Sequence, residues 1–301
     1  MRIGFINDFR LAVVRGDLAI DVSDIADPIP HLTAQDLIAG LITRFDEFGP
    51  RLEAAAQSRK GVPIDSVRFR PPVPRPGTMV CMAGNYLESG TIPKAYDADA
   101  FLKSSSSVIG NGDTVVLPDA PATVFHHEAE LGVVIGKKAS RVKAADGLDH
   151  VFGYLNFMDV SARGITPEGR NSFWWQKSWD TFCPIGPWIV TRDEIPDAQA
   201  LDIKLWNNGD LRHDFDTSDM ARSVPEVVEL LSNVTTLYPG DIIATGTNHL
   251  GLGPMQDGES VTLEVEGLGR LTVNVRDEYG RTWRRETVAE QEARERAKKN
   301  G

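Results

Sequence analysis

The segment Phe125-His126-His127-Glu128-Ala129-Glu130-Leu131-Gly132-Val133-Val134-Ile135-Gly136 places two glutamates two residues apart at the head of an apolar run. Side chains alternate along a strand, so Glu128 and Glu130 point to one face and their oxygens can converge on one ion. Alone, Glu-x-Glu reads more readily as a solvated strand edge, because glutamate is mostly an exposed residue. A third carboxylate shifts that balance. Asp159 stands in Gly153-Tyr154-Leu155-Asn156-Phe157-Met158-Asp159-Val160-Ser161-Ala162-Arg163, an apolar stretch where a lone charge is costly without a cation or a hydrogen-bonding partner. Hard oxygen donors of this kind suit Mg²⁺, Mn²⁺ or Ca²⁺ better than zinc. His126 shares the strand parity of the two glutamates and is a candidate fourth ligand or nearby base. His127 faces the other way and reads as an ordinary core or surface histidine.

The elements that must hold these groups are mostly short strands separated by Gly, Asn and Asp turns, which predicts a β-rich α+β fold. Val261–Val265 and Leu271–Val275 alternate around Gly267-Leu268-Gly269 and predict a hairpin. One helix interrupts the pattern, with Ser223 as N-cap, Pro225 in the first turn and Val227, Val228, Leu230, Leu231 and Val234 as its buried stripe. Residues 1–70 predict a small N-terminal unit, with strands over Arg2–Ile6, Leu11–Val14 and Leu18–Val22. A helix follows over Ala34–Phe48 on Leu37, Ile38, Leu41, Ile42 and Phe45. The run Pro71-Pro72-Val73-Pro74-Arg75-Pro76 can continue neither a helix nor a central strand, so residues 71–76 are expected to be a linker. Residues 77–285 are then expected to form a larger domain that carries the three carboxylates, and 286–301 a polar tail with a charged helix.

At 301 residues the chain has room for roughly two domains of about 150 residues. With Lys+Arg at 32 and Asp+Glu at 43, its net charge of −11 has the wrong sign for wrapping nucleic acid or an anionic membrane. Small partners are expected instead. Cys81 and Cys183 have no metal-spaced neighbours, and the N-terminus carries charge too early for a signal-peptide core, so a reducing cytoplasm is the expected setting. No phosphate-cradling glycine loop of the nucleotide-binding types is present.

Together these residues resemble the fumarylacetoacetate hydrolase family, whose catalytic domains carry a Glu-x-Glu strand followed by an Asp before Val-Ser-Ala-Arg. The resemblance runs from about Pro72 to Asp277 in five motifs. They are Cys81 to Tyr86, the Glu-x-Glu-Leu strand, Gly153 to Arg163, Lys177 to Trp188 and Leu237 to Thr247. It implies a mixed β-sandwich roll as catalytic domain, a small N-terminal α+β domain, a homodimer, and Mg²⁺ or Mn²⁺ held by Glu128, Glu130 and Asp159. It also implies a metal-dependent hydrolase that cleaves a carbon-carbon bond of a small 2,4-dioxo acid, with the metal chelating the 2-oxo acid. Lys177 would neutralise the carboxylate or enolate of that anionic substrate beside the metal. Gly246 would offer a backbone N–H and Thr247 a hydroxyl to the substrate carboxylate.

The chain also departs from the family's pattern. Hydrolytic members that cleave acylpyruvates often carry a water-activating His and Glu shortly after the Asn-Tyr pair. Here Asn85-Tyr86 is followed by Ser89 and Ile92 at those places, so the dyad is absent from its usual positions. Ser172 stands where a Gln commonly precedes the lysine, and Asn248-His249 replace the usual Pro-Ala. His249 is the best remaining base, since an unperturbed imidazole titrates at about 6.5. The missing dyad keeps lyase, hydratase, decarboxylase or isomerase chemistry open, and a non-catalytic metal-binding relative is the bland alternative. Asn85, Arg163 and Asp180 read as structural or supporting members of their motifs, and Trp174, Trp175 and Trp179 as pocket, core or interface residues. The loops Leu87–Asp97 and Gly164–Trp175 are expected to shape the pocket.

Overall fold

The computed structural model describes residues 1–166 and 172–300. Among them the largest sheet has twelve strands. Its spine runs β4 (Val62–Pro63), β3 (Leu18–Asp21), β2 (Arg10–Arg15), β1 (Arg2–Ile6), β14 (Cys183–Thr191), β12 (Val151–Met158), β11 (Ala129–Ile135), β17 (Ile242–Ala244), β6 (Met79–Ala83) and β7 (Asp99–Leu102). Two short strands attach at its sides, β5 (Phe69–Arg70) to β1 and β8 (Val108–Ile109) to β14. A second sheet, in the order β16 (Asp210–Asp216), β15 (Asp202–Asn207), β18 (Ser260–Val265), β19 (Arg270–Arg276) and β9 (Thr114–Val116), packs on one face. A separate ribbon pairs β10 (Val124–His126) with β13 (Ser161–Arg163).

The large sheet is covered on both sides, which explains why its central strands read as unbroken apolar runs. Every residue of β11, β12 and β14 is buried. Leu131, Val133, Tyr154 and Val190 join Ile203, Leu263 and Val273 in the core between the two sheets. On the opposite face, Val134, Leu155, Phe157 and Ile189 pack with residues of α2 (Ala34–Thr43) and α3 (Phe45–Ser58). Between the sheets and helices lie the inward ends of β11 and β12, where the candidate site forms.

The N-terminal residues 1–70 extend this sheet: Arg2 and Ile3 pair with Val190 and Ile189, and the Thr191 N–H donates to the Met1 carbonyl at 2.9 Å. The proline-rich residues 71–76 carry the chain from β5 to β6. The single helix expected over Ala34–Phe48 is instead two. Thr33 caps α2 with Asp36 in a reciprocal capping box, and the chain turns at Arg44, where φ is −110° and ψ is 26°. Phe45 then opens α3 and packs edge-on against Phe152 at 4.9 Å, while Phe48 and Leu52 enter the core. Gly49-Pro50 lies in the second turn of α3.

The helix expected after Ser223 is α6 (Val224–Val234), with a capping box between Ser223 and Glu226. Val227, Val228 and Leu231 are buried, but Leu230 is half-buried and Val234, its last residue, is 83% exposed. The predicted hairpin is β18–β19, and the charged tail forms α7 (Val288–Asn300).

Gly153 shows why β12 can lie tight against β14. A Cβ on Gly153 would sit 2.2 Å from the Val190 carbonyl oxygen and 3.0 Å from Ile189 Cγ2. Since β12 delivers Asp159, this contact sets the position of a site residue. Gly153→Ala is expected to destabilise the protein by about 1–3 kcal/mol through overpacking. Urea unfolding measures this, and a midpoint equal to the wild type would show that the two strands part freely.

Candidate active site

Strands β11 and β12 pair with Ala129 opposite Met158 and Glu130 opposite Phe157. The Asp159 N–H donates to the Glu128 carbonyl at 3.0 Å, which extends the ladder by one residue. Glu128 therefore faces Asp159 across the strand pair, and Glu130 follows two places along. Ligand oxygens of the three carboxylates lie within 4.8 Å of one another, and all three residues are buried. Like charges directly opposite on paired strands repel, so this cluster needs cations around it.

Three segments supply them. Lys177, at the end of α5 (Phe173–Lys177), is 3% exposed and bridges Glu128 Oε2 at 2.6 Å and Asp159 Oδ2 at 2.8 Å. Lys103, just beyond β7, is buried and donates to Asp159 Oδ1. Arg163 on β13 donates from Nη2 to Glu128 Oε1, which also accepts from the Ser161 hydroxyl at 3.1 Å. Burial on its own raises the Glu128 carboxyl, but Lys177 and then Arg163 hold it below the usual carboxylate range. Burial likewise disfavours the Lys177 ammonium, yet Asp159 and Glu128 outweigh it and raise this group.

Glu130 is different. Among the described residues it has no cationic side chain within hydrogen-bond distance, and its Oε2 accepts the Gly246 N–H at 2.7 Å. Burial, then Asp159 and Glu128, push its carboxyl well above the ordinary value. A divalent cation among the three oxygens would offset the burial and the like charges that cause that shift, and the all-oxygen donor set fits Mg²⁺ or Mn²⁺.

The other expected residues are placed as follows. Strand β10 ends at His126 and β11 begins at Ala129, so the chain changes sheets at 127–128 and His126 is not on the glutamates' strand. Its Nδ1 accepts from Arg163 Nε at 3.4 Å, it stands outside the carboxylate cluster, and burial, reinforced by Arg163, pushes it down to about 4. The structure thus supplies no fourth ligand from His126. The Gly246 N–H orients Glu130 rather than facing a substrate, whereas the Thr247 hydroxyl has only a 3.5 Å contact, to the Asn248 carbonyl. His249 carries a partner that the sequence did not suggest: its Nδ1 lies 2.5 Å from Glu88 Oε1, and its N–H donates to Glu88 Oε2 at 2.7 Å.

Asn85 clamps two loops through Arg222 and Thr245, and Asp180 is exposed. Trp174 and Trp175 are exposed and pack edge-on against each other at 5.5 Å, while the Trp179 indole donates to the Trp175 carbonyl. Of the expected pocket loop Gly164–Trp175, residues 167–171 lie outside the described residues. Lys103 and Glu88 escaped sequence reasoning. Lys103 follows Phe101-Leu102 and precedes four serines, a context with no ligand spacing, and Glu88 reads as an ordinary loop acid.

Comparison with known proteins identifies the family. The family model described as fumarylacetoacetate (FAA) hydrolase C-terminal matches residues 78–276, about two thirds of the chain. The chain belongs to the fumarylacetoacetate hydrolase family. Maleylpyruvate hydrolase of Aquipseudomonas alcaligenes is 34% identical, over 92% of this chain and 99% of that protein. A crystal structure of maleylpyruvate hydrolase from Sphingobium sp. SYK-6, in complex with manganese(II) and pyruvate, is 36% identical. It superposes with a TM-score of 0.83 over 92% of this chain and 99% of that one. A mitochondrial oxaloacetate tautomerase of Bos taurus is 38% identical over 69% of each chain. This member of the family therefore has relatives among hydrolases and tautomerases of 2-oxo acids, and its fold is the family's strand-rich α+β arrangement without a closed barrel.

Behind Glu128, His127 is wholly buried and packs against His213 with ring centroids 5.2 Å apart. Burial pushes His213 down to about 3, and burial with His213 beside it holds His127 well below its ordinary range. Both stay neutral in the fold at pH values where the unfolded chain protonates them. Stability present above about pH 6.5 is therefore lost as pH falls, by up to about 1.4 kcal/mol per unit for each histidine. Urea unfolding between about pH 6.5 and 5.5 is expected to show this slope, to which His126, also held down by burial, adds its share, and His213→Gln to reduce it by about a third. Equal slopes for the two proteins would contradict the assignment.

Proposed function

We propose that this chain is a divalent-metal-dependent hydrolase that cleaves a carbon-carbon bond in a small, acylpyruvate-like 2,4-dioxo acid. The observation that carries the reading is the buried Glu128, Glu130 and Asp159 cluster with the Lys177 ammonium set between two of its members. Near-full-length similarity to maleylpyruvate hydrolases supports it. Held by those three carboxylates, Mg²⁺ or Mn²⁺ supplies Lewis acidity toward the adjoining oxygens of a 2-oxo carboxylate. Lys177 neutralises charge on the substrate carboxylate and on the enolate left when the bond breaks. Gly246 keeps Glu130 in place through its N–H, and the Thr247 hydroxyl is free to meet the substrate carboxylate. His126, neutral and tied to Arg163, supports the Glu128 side of the site. His249 is the side chain assigned to proton transfer.

A second reading, enolate chemistry without hydrolysis as in a tautomerase or isomerase, is favoured by Ser89 and Ile92 at the positions where the acylpyruvate hydrolases carry their dyad. The described residues contain no helix long and apolar enough to cross a membrane. A cytoplasmic homodimer belongs to the same proposal, supported by two buried, free cysteines and by the family resemblance.

EDTA is expected to abolish turnover and Mn²⁺ or Mg²⁺ to restore it, with full activity in the metal-free protein contradicting the proposal. Lys177→Met is expected to lower kcat by about 10²–10³-fold, the usual cost of removing a donor to developing negative charge. A panel of acylpyruvates and oxaloacetate, followed by enol absorbance and pyruvate release, separates the two readings. Pyruvate released from an acylpyruvate together with its carboxylic acid marks the hydrolase, and loss of enol absorbance without pyruvate marks the tautomerase.

A further inference from the structure

The segment that follows β17 is pinned at both ends to the strand region bearing the carboxylates. At one end the Gly246 N–H is held by Glu130, and at the other Pro254 forms a bridge with His126. Residue 249 lies on the span between these two anchors. Facing it is the loop after β6, in which Glu88 and Ser89 both adopt left-handed backbone conformations, with φ of 53° and 55°. Glu88 is 6% exposed and directs both carboxylate oxygens at His249, one to Nδ1 and one to the backbone N–H. The neighbours interlock as well. Asn248 Nδ2 donates to Ser89 Oγ and to Asp219 Oδ2, each at 3.1 Å, and the Ser89 N–H donates to the same Asp219 oxygen at 3.0 Å. Ser89, Asn248 and His249 are three of the places where this chain departs from its family's pattern. Although about 160 residues apart along the chain, the two groups of departures meet in space.

We infer that Glu88 and His249 form a water-activating dyad rebuilt from two loops, with Glu88 as the positioning carboxylate and His249 as the catalytic base. The inference rests on the hydrolase reading above and names its proton-transfer groups. Glu88 accepts the proton on Nδ1, which leaves Nε2 with its lone pair on a ring that is 43% exposed. Nε2 removes a proton from water as the hydroxyl oxygen bonds to the distal carbonyl carbon of the 2,4-dioxo acid. The tetrahedral adduct then collapses, the bond between the distal carbonyl carbon and C3 breaks, and its electron pair passes into the enolate of the 2-oxo acid fragment. The imidazolium returns its proton to C3. One water is consumed, one carboxylic acid and one pyruvate-type acid are released, and no oxidant or reductant takes part. Asp219 and Asn248 act only by holding the two loops together.

The test uses the Mn²⁺-loaded full chain with an acylpyruvate that the wild type hydrolyses. His249→Ala is expected to lower kcat by about 10²–10⁴-fold, the range for a lost general base, with KM changed less than about threefold. Glu88→Ala is expected to lower kcat by at least about tenfold, since it removes the group that orients the base. Glu88→Gln, which keeps an acceptor at the same place and guards against loss of the loop fold, is expected to recover part of that loss. Nitrogen-15 NMR of the histidine ring is expected to show the proton on Nδ1 in the wild type and a mixture of tautomers in Glu88→Ala. Wild-type turnover with kcat unchanged in His249→Ala overturns the dyad alone, and so does an Nε2-protonated ring in the wild type. A wild type that releases pyruvate from none of the acylpyruvates overturns the hydrolase reading and the dyad with it.

Discussion

Three carboxylates share the buried end of one antiparallel strand pair, and the surrounding elements are arranged to make that tolerable. Glu128 and Asp159 stand opposite each other because β11 and β12 pair in the register that also sets Glu130 opposite Phe157. Left alone, such a cluster would protonate or open, since burial gives its charge little dielectric screening. The cations that prevent this arrive from three separate parts of the chain: Lys103 after β7, Arg163 on β13 and Lys177 at the end of α5. Docking of those segments is thus coupled to the ionisation of the cluster. Loss of any one cation would leave Glu128, Asp159 or both with a single cationic partner in place of two.

The two-sided covering of the large sheet makes these interactions strong. Helices α2 and α3 close one face and the second sheet closes the other, so the strand ends that bear the carboxylates lie between apolar layers. The same burial treats the nearby histidines differently from His249. His126, His127 and His213 are all pushed toward their neutral forms, which leaves them as packing or hydrogen-bonding groups. His249 keeps 43% of its side chain exposed and has a carboxylate behind it. Of the four imidazoles around the site, it alone has a carboxylate as its hydrogen-bond partner among the described residues.

What the sequence disclosed, and what it withheld, follows from the range of the interactions involved. The carboxylate set was legible because strand alternation, an acid in an apolar run and ordered family motifs all converge on Glu128, Glu130 and Asp159. The β18–β19 hairpin and the capped helix α6 were legible for a similar reason, since their signals are local. Lys103 and Glu88 were not, because nothing near them in the chain signals a partner 56 or 161 residues away. The break between α2 and α3 was hidden by an apolar periodicity that continues through Phe45, and only packing against Phe152 shows that the chain must turn at Arg44. His126 misled in the opposite direction. Its parity with the glutamates assumed one continuous strand, whereas the backbone leaves one sheet and enters another between His126 and Ala129.

An acidic protein with a net charge of −11 must still accept an anion if it is to process a 2-oxo acid. The buried charges resolve that conflict locally. Three carboxylates face three side-chain cations, so the site itself is near neutral before any metal ion is counted. A divalent cation then leaves a local excess of positive charge, which suits a small acid carrying a carboxylate and an enolisable carbonyl. If Lys103 and Arg163 were absent, the same metal would only cancel part of the carboxylate charge and leave Lys177 alone to attract the substrate. Lys103, which sequence reasoning missed, and Arg163, which it read as structural or supporting, are therefore the cations that free the metal and Lys177 for chemistry.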